Sequence, residues 1–375
     1  MQAVGVAWQI YALTGRPLDL GLVGLAQFLP GILLFLLAGH TADRVSRRRI
    51  LLVCYGAFAC CSLALTALSL HGIRTVWPVY AVLLANGVVR AFNTPTSQAF
   101  VPQLVPEEDF PNAISWGSSI FQAAMSLGPV VGGLIYGFAG SPVPVYVSAA
   151  AGYLAGLLLL LNVRVSKPPK PRGVSMEVLF EGIRYIWRNP IVLGAISLDL
   201  FAVLLGGAVA LLPVYAGSIL QIGARGLGIL RAGPGIGAVL TAILIAHYPL
   251  RKKVGAVMLW CVCGFGLFTI VFGVSRNLVL SMAALVFIGC CDMVSVIVRH
   301  TLVQLRTPDE MRGRVSAVNT VFIGASNEVG QFESGVTAQW LGTVTAVVAG
   351  GVGTIVIVAL WARLFPALRK VDELL

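Results

Sequence analysis

The chain has 375 residues, of which 58% are hydrophobic and only 11% are charged. Soluble domains carry about 25% charged residues, so a water-soluble globular protein is excluded. The net charge of +11 does not point to nucleic acid either, because the cations fall in short segments between apolar runs, where they record membrane topology.

The first apolar run, Ala3–Leu13, is too short to cross a bilayer, which takes about 20 residues. It reads as half of a first helix whose start is missing, or as a segment that does not cross. The candidate spans that follow are Leu20–Thr41, Ile50–Leu70, Trp77–Ala99, Ala113–Phe138 and Val143–Val163. A polar segment, Arg164–Asn189, then interrupts the pattern. Six more runs complete it: Ile191–Val214, Leu227–Tyr248, Gly255–Val274, Leu278–Thr301, Val315–Leu341 and Thr345–Phe365. The expected fold is an all-α polytopic membrane protein. Residues 1–163 and 190–375 form two helical halves, joined by a linker over 164–189.

Placing alternate loops on opposite sides tests this layout. The side holding Arg44, Arg47, Arg48 and Arg49 collects nineteen Lys and Arg, and the other side four. The positive-inside rule assigns the richer side, and with it both chain ends, to the cytoplasm. The linker begins with prolines, which keep a chain extended. It continues as Met176–Arg188, where Val178, Leu179, Ile183 and Ile186 share one helical face, as in an interfacial amphipathic helix.

The two halves repeat. Val101–Phe121 aligns without gaps on Leu302–Phe322, with Gln103/Gln304, Leu104/Leu305, Ser115/Ser316 and Phe121/Phe322 identical. Parallel repeats imply a pseudo-two-fold axis along the membrane normal, with any substrate site between the halves.

Charges inside spans are few: Arg90, Asp199, Arg231, Asp292, Arg299, Glu328 and Glu333. A charge facing lipid costs roughly 2.5–3.5 kcal/mol or more, so these belong against the interior or a wet cavity. Asp199 lies roughly 12–14 Å in from its cytoplasmic end, near mid-bilayer. Arg90 and Asp292 share a depth, and Glu328 is near a span centre. Asp199, the deepest acid, is therefore the first candidate for proton coupling; Asp292, with Arg90 at its depth able to pair with it, is the second and Glu328 the third. Arg299 and Glu333 approach the interfaces, where snorkelling accounts for them. Gln122, Asn327 and Gln331 are too large for close helix packing and join Arg90 as candidate cavity-lining residues. Gly128, Pro129, Gly132 and Gly133 read as a packing motif, since small residues let transmembrane helices approach closely.

Gly39-x-x-x-Asp43-Arg44-x-x-Arg47-Arg48 resembles the loop motif of the major facilitator superfamily, with Ser46 where glycine is commoner. That resemblance implies two parallel six-helix halves, with the first helix truncated here. It also implies that Asp43, Arg44, Arg47 and Arg48 hold a cytoplasmic gate, with Gly39 for close packing. Gly128-Pro129-x-x-Gly132-Gly133 resembles the end of the fifth-helix motif of exporters; Ser115 and Ala124 replace its upstream glycines. Gly87-x-x-x-Ala91-x-x-x-Pro95-x-x-x-Ala99-x-x-Pro102, Asn112-Ala113 and Arg312-Gly313-Arg314-Val315 are similar to the enterobactin-exporter-like branch of bacterial efflux proteins.

The resemblance implies a monomeric secondary transporter of the inner membrane, exporting a small molecule in exchange for protons. Import and a non-transporting receptor or scaffold remain the alternatives. No Gly-Lys-Ser/Thr occurs, so no P-loop is present. The four histidines (His40, His71, His247, His300) scatter along the membrane borders on both sides. They offer no metal site and no catalytic triad, and no cofactor is implied.

Overall fold

In an apolar run every backbone N–H and C=O must be satisfied within the segment, which makes helix the only open-ended solution. The computed structural model describes residues 1–101, 104–106, 109–163, 176–248, 250 and 252–372. Among them the secondary structure is helical throughout. The first helices are α1 (Gln2–Thr14), α2 (Pro17–Leu33), α3 (Phe35–Arg44), α4 (Arg47–Leu70) and α5 (Trp77–Phe100). They are followed by α6 (Phe110–Ala139), α7 (Val143–Asn162), α8 (Met176–Arg188) and α9 (Pro190–Leu205). The remainder are α10 (Leu212–Val214), α11 (Gly223–His247), α12 (Val254–Val274), α13 (Leu278–Arg306), α14 (Asp309–Leu341), α15 (Thr343–Leu364) and α16 (Pro366–Arg369).

Seven of the described helical segments are long and apolar enough to cross a membrane: Arg47–Leu70, Val143–Asn162, Pro190–Ile219, Gly223–His247, Val254–Val274, Leu278–Arg306 and Thr343–Leu364. The spans α5 and α14 have the length, but Arg90 and the polar stripe through Glu328 make them less apolar. The repeated junctions match in form. Each follows a long helix and opens one of the two longest, α6 with 30 residues and α14 with 33.

Two spans differ from the sequence reading. Leu20–Thr41 was expected as one helix, but it bends at Leu34, between α2 and α3. The bend comes one turn after Pro30, whose ring and missing N–H disturb the ladder only on its own N-terminal side; toward the bend, Leu34 N still donates to the Pro30 carbonyl at 2.9 Å. Ile191–Val214 was also expected to be continuous, yet α9 stops at Leu205. A 3-10 turn (Ala208–Leu211), α10 and a π turn (Tyr215–Ile219) carry the chain onward. Gly206 and Gly207 make the break. A side chain at Gly207 would run into Ser334 Oγ and the Gly330 carbonyl of α14, so only glycine permits this approach. The π turn is anchored by Tyr215, whose hydroxyl donates to the Gly273 carbonyl at 2.8 Å.

The residues group into two compact units. The first holds Met1–Gly15, Leu22–Val174 and Gly223–Gly228. Its core joins Val6 and Ile10 of α1 to Val23, Leu65, Val79, Leu83 and Tyr146. A buried polar chain crosses it: Tyr146 donates to Gln9 Oε1 at 2.6 Å, and Gln9 Nε2 donates to Ser69 Oγ at 2.9 Å. The short first run is thus a 13-residue helix packed on α6 and α7.

The second unit holds Arg16–Gly21, Ser175–Ile222 and Ile229–Leu375. Leu198 and Ala202 of α9 lie at its centre, enclosed by Met258, Val262, Val298, Leu302, Val358 and Trp361. The helix α8 belongs to this unit. Its buried Ile186 packs with Val192, Ile196, Val303, Val315 and Val318, so its apolar face is spent on protein, where the sequence reading gave it to the membrane interface. Glu181 pairs with Arg314, and the Tyr185 hydroxyl donates to the Arg306 carbonyl. The side chains of Val178 and Leu179 lie outside the described residues.

Candidate functional site

The chemistry of the second unit centres on α9, α12 and α13. Asn189 caps α9 by accepting from Val192 N, and Pro190 takes the first helical turn, where its lack of an N–H costs nothing. Asn277 caps α13 in the same way, accepting from Val279 N at 2.8 Å. With both registers set, Asp199 of α9 and Arg299 of α13 meet as a buried ion pair. Arg299 is 2% exposed, which corrects the snorkelling expected of it. It forgoes water because Asp199 supplies the opposite charge.

Asp292, Ser295 and Arg299 lie at i, i+3 and i+7, on one stripe of α13. Asp292 is therefore roughly 10 Å along the axis from Arg299. Asp199, Asp292 and Ser295 line one crevice, together with Ala202, Val203, Val262, Phe265 and Cys291. Its accessible volume is about 10 Å³, about that of one water and far below the roughly 300–1,000 Å³ of ordinary small-molecule sites. The crevice has room for protons and water, not for an amphipathic cargo. The two acids in it differ. Asp199 is buried against its cation, whereas Asp292 is half-buried and makes no ion pair or hydrogen bond among the described residues. Ala202 and Val203 sit just before the Gly206–Gly207 break, so the crevice abuts a discontinuous span, a setting in which membrane transporters place ion sites.

The other candidates are spread out. Glu328 is half-buried on α14 and accepts from Gln331 Nε2 at 3.4 Å, while Asn327 is exposed and donates to the Ile323 carbonyl of its own helix. Glu333 accepts from Thr337 at 2.7 Å. In the first unit Arg90 is exposed on α5, and the side chain of Gln122 lies outside the described residues.

The loop motif also divides. Gly39 is helical, and no described atom lies within 4 Å of where its side chain would begin; the close packing implied for it is not found among the described residues. The side chain of Asp43 lies outside the described residues, and Arg44 is exposed. Arg47, at the start of α4, is half-buried. Arg48 donates from Nη2 to the Leu161 carbonyl at 2.6 Å and from Nε to the Leu160 carbonyl at 3.3 Å. It caps the end of α7, where the helix leaves carbonyls unpaired and partly negative.

In the α6 motif, Pro129 sits inside the helix, and Gly128 and Gly132 face Met1. Gly133 meets Gly228 Cα, an approach no side chain would allow, and Arg225 Nε donates to the Gly137 carbonyl at 2.7 Å.

Reading by depth alone missed the Arg299 partnership, together with Ser295, Cys291 and the double-glycine break. The i, i+3, i+7 stripe of α13 and the Gly206-Gly207 pair within an apolar run were the signals for them.

The comparisons with known proteins agree with this architecture. The chain is 26% identical over 356 residues to the enterobactin exporter EntS of Shigella boydii serotype 4 (strain Sb227), covering 93% of this chain and 84% of that protein. It is equally similar to the enterobactin exporter EntS of Escherichia coli O1:K1, over 355 residues, with the same 93% and 84% covered. In fold it is similar to a peptide transporter of the POT type, with a TM-score of 0.73 at 14% identity, covering 99% of this chain and 93% of that one. The xylose transporter XylE from E. coli, in an inward-open conformation, matches with a TM-score of 0.67 at 13% identity, covering 100% and 96%. The solved neighbours show the major facilitator fold. The transmembrane secretion effector model matches residues 1–374, and the chain belongs to that family of multi-pass major facilitator transporters.

Proposed function

We propose that the protein is a proton-coupled exporter of small amphipathic molecules, siderophore-like or drug-like, working as a monomer by alternating access in the inner membrane. Both chain ends lie in the cytoplasm, as the nineteen-to-four distribution of cations supports. The likeness to enterobactin exporters along 93% of the chain supports export and this cargo class.

The observation that carries proton coupling is the inequality of two acids in one crevice. Asp199 is committed to Arg299, because losing its charge would leave a buried guanidinium uncompensated. Among the described residues Asp292 has no such partner, so it is the acid free to load and release a proton. With Asp292 ionised the three groups sum to −1; with it protonated they sum to zero. A neutral cluster is cheaper to hold away from water. Helix movement that closes the crevice is thereby tied to proton uptake. Asp199 then positions Arg299, and Glu328 stands behind Asp292 as an alternative carrier.

The test is flux in proteoliposomes with an imposed pH gradient, using a panel of catecholate siderophores and cationic amphiphiles. Asp292→Asn should abolish gradient-driven accumulation while leaving exchange of labelled for unlabelled cargo within about twofold of wild type. Undiminished accumulation by Asp292→Asn would pass the role to Glu328. No gradient-dependent flux of any panel member by the native protein would remove the exporter reading itself.

A further inference from the structure

The helix α8 has a second face that transport chemistry does not use. Phe180, Arg184, Trp187 and Arg188 lie at i, i+4, i+7 and i+8, on one side of the helix. All four are exposed, Phe180 at 59% and Trp187 at 69%. The opposite side, with Gly182 and Ile186, is packed against Arg314 and Val318 of α14 and the core beside them. Docking therefore fixes the rotation of α8 and leaves two large aromatic side chains and two guanidinium groups outward, alternating along one face. The acid next to them, Glu181, is engaged by Arg314.

The position of α8 is as informative as its face. It ends two residues before α9 begins, and it contacts the Arg306 carbonyl at the end of α13 and the first turns of α14. It thus lies where membrane-crossing helices reach the headgroup layer. Tryptophan favours that layer, which suits a ring with one apolar and one polar edge. A guanidinium matches a phosphate with two parallel hydrogen bonds. The twelve residues that precede α8 in the sequence add Arg164, Lys167, Lys170 and Arg172 and contain no acid.

We propose that the outward face of α8 binds anionic phospholipid headgroups. Phe180 and Trp187 enter the interface, while Arg184 and Arg188 hold the phosphates. The helix so clamps the ends of α9, α13 and α14 to the membrane surface. This site is independent of the proton-coupling proposal.

The full chain, in nanodiscs mixing phosphatidylcholine with a minority of phosphatidylglycerol, provides the test. Lipid released with the protein is counted by native mass spectrometry. Wild type should retain phosphatidylglycerol above its bulk share. Arg184→Gln and Arg188→Gln should each lower that retention about fivefold, the value of one cation near an anionic surface. Phe180→Ser with Trp187→Ser should lower retention of both lipids. All four positions are exposed, so melting temperatures should match wild type; the retention result is read only from variants that do. Equal phosphatidylglycerol enrichment in wild type and the arginine variants would overturn the proposal. So would loss of the enrichment to added inorganic phosphate, which marks a simple anion site. Crosslinking of Trp187→Cys between two copies of the chain would overturn it as well, by giving this face to a protein partner.

Discussion

Asp199 and Arg299 neutralise each other inside the C-terminal unit, with side chains 8% and 3% exposed. The pair joins α9 to α13 at the level of the crevice that Asp292 also lines. Burying two charges is expensive, and their attraction only offsets that cost, so such a pair is weak evidence for stability as such. Its value here is discrimination: one acid is committed and the other is free.

The first prediction follows from that cost. Arg299→Gln alone should destabilise the protein by about 3–5 kcal/mol, because it strands a buried carboxylate. Arg299→Gln with Asp199→Asn should recover most of the loss, since neither charge is then left alone. Thermal unfolding in detergent, followed by fluorescence-detected size exclusion, reads both. Equal destabilisation by the single and the double variant would mean that the two residues do not act as a pair.

A second prediction contrasts two glycines. At Gly133 any side chain meets the backbone of Gly228, so Gly133→Leu should cost about 1–3 kcal/mol or more by overpacking. At Gly39 the space is open among the described residues, and the residue sits in helix. Gly39→Ala should therefore stabilise by about 0.5–1 kcal/mol through reduced backbone entropy. If Gly39→Ala instead lowers the melting temperature, the close packing implied by the loop motif exists after all.

The third concerns Arg48. Its two bonds to the last carbonyls of α7 give it a structural task apart from its motif neighbours. Arg48→Ala should lose about 1–3 kcal/mol, while Arg49→Ala, exposed, should stay within about ±0.5 kcal/mol. Arg44→Gln, also exposed, should leave the melting temperature unchanged; the gate role that the loop motif's resemblance implies requires it to slow transport. A matching loss of stability in Arg48→Ala and Arg49→Ala would show that the cap contributes nothing.

The fourth tests orientation. With native cysteines replaced, Arg74→Cys and Arg276→Cys should react with an impermeant maleimide added to intact cells. Arg49→Cys and Lys252→Cys should react only after permeabilisation. All four positions are exposed, so burial cannot explain a failure to label. Reaction of Arg49→Cys from outside would invert the topology.

Much of this was legible in the residues. Depth along the membrane normal is a one-dimensional quantity, and apolar runs, loop lengths and the distribution of Arg and Lys report it directly. The span series, the repeat that opens α6 and α14, the loop motif and the few charges inside spans were all read in that way. What the sequence could not supply was rotation about each helix axis. In α9 and α12 nearly every position is apolar, so periodicity carries almost no signal for which side meets a neighbour. Asp199 and Arg299 were both visible as intramembrane charges, but only packing made them partners and left Asp292 without one among the described residues. The amphipathic pattern of α8 was visible too; its apolar face met α14 because tertiary contact, not lipid, was there to receive it. The break at Gly206–Gly207 follows the same logic, since two glycines permit a kink that only the close approach of α14 turns into a discontinuous span.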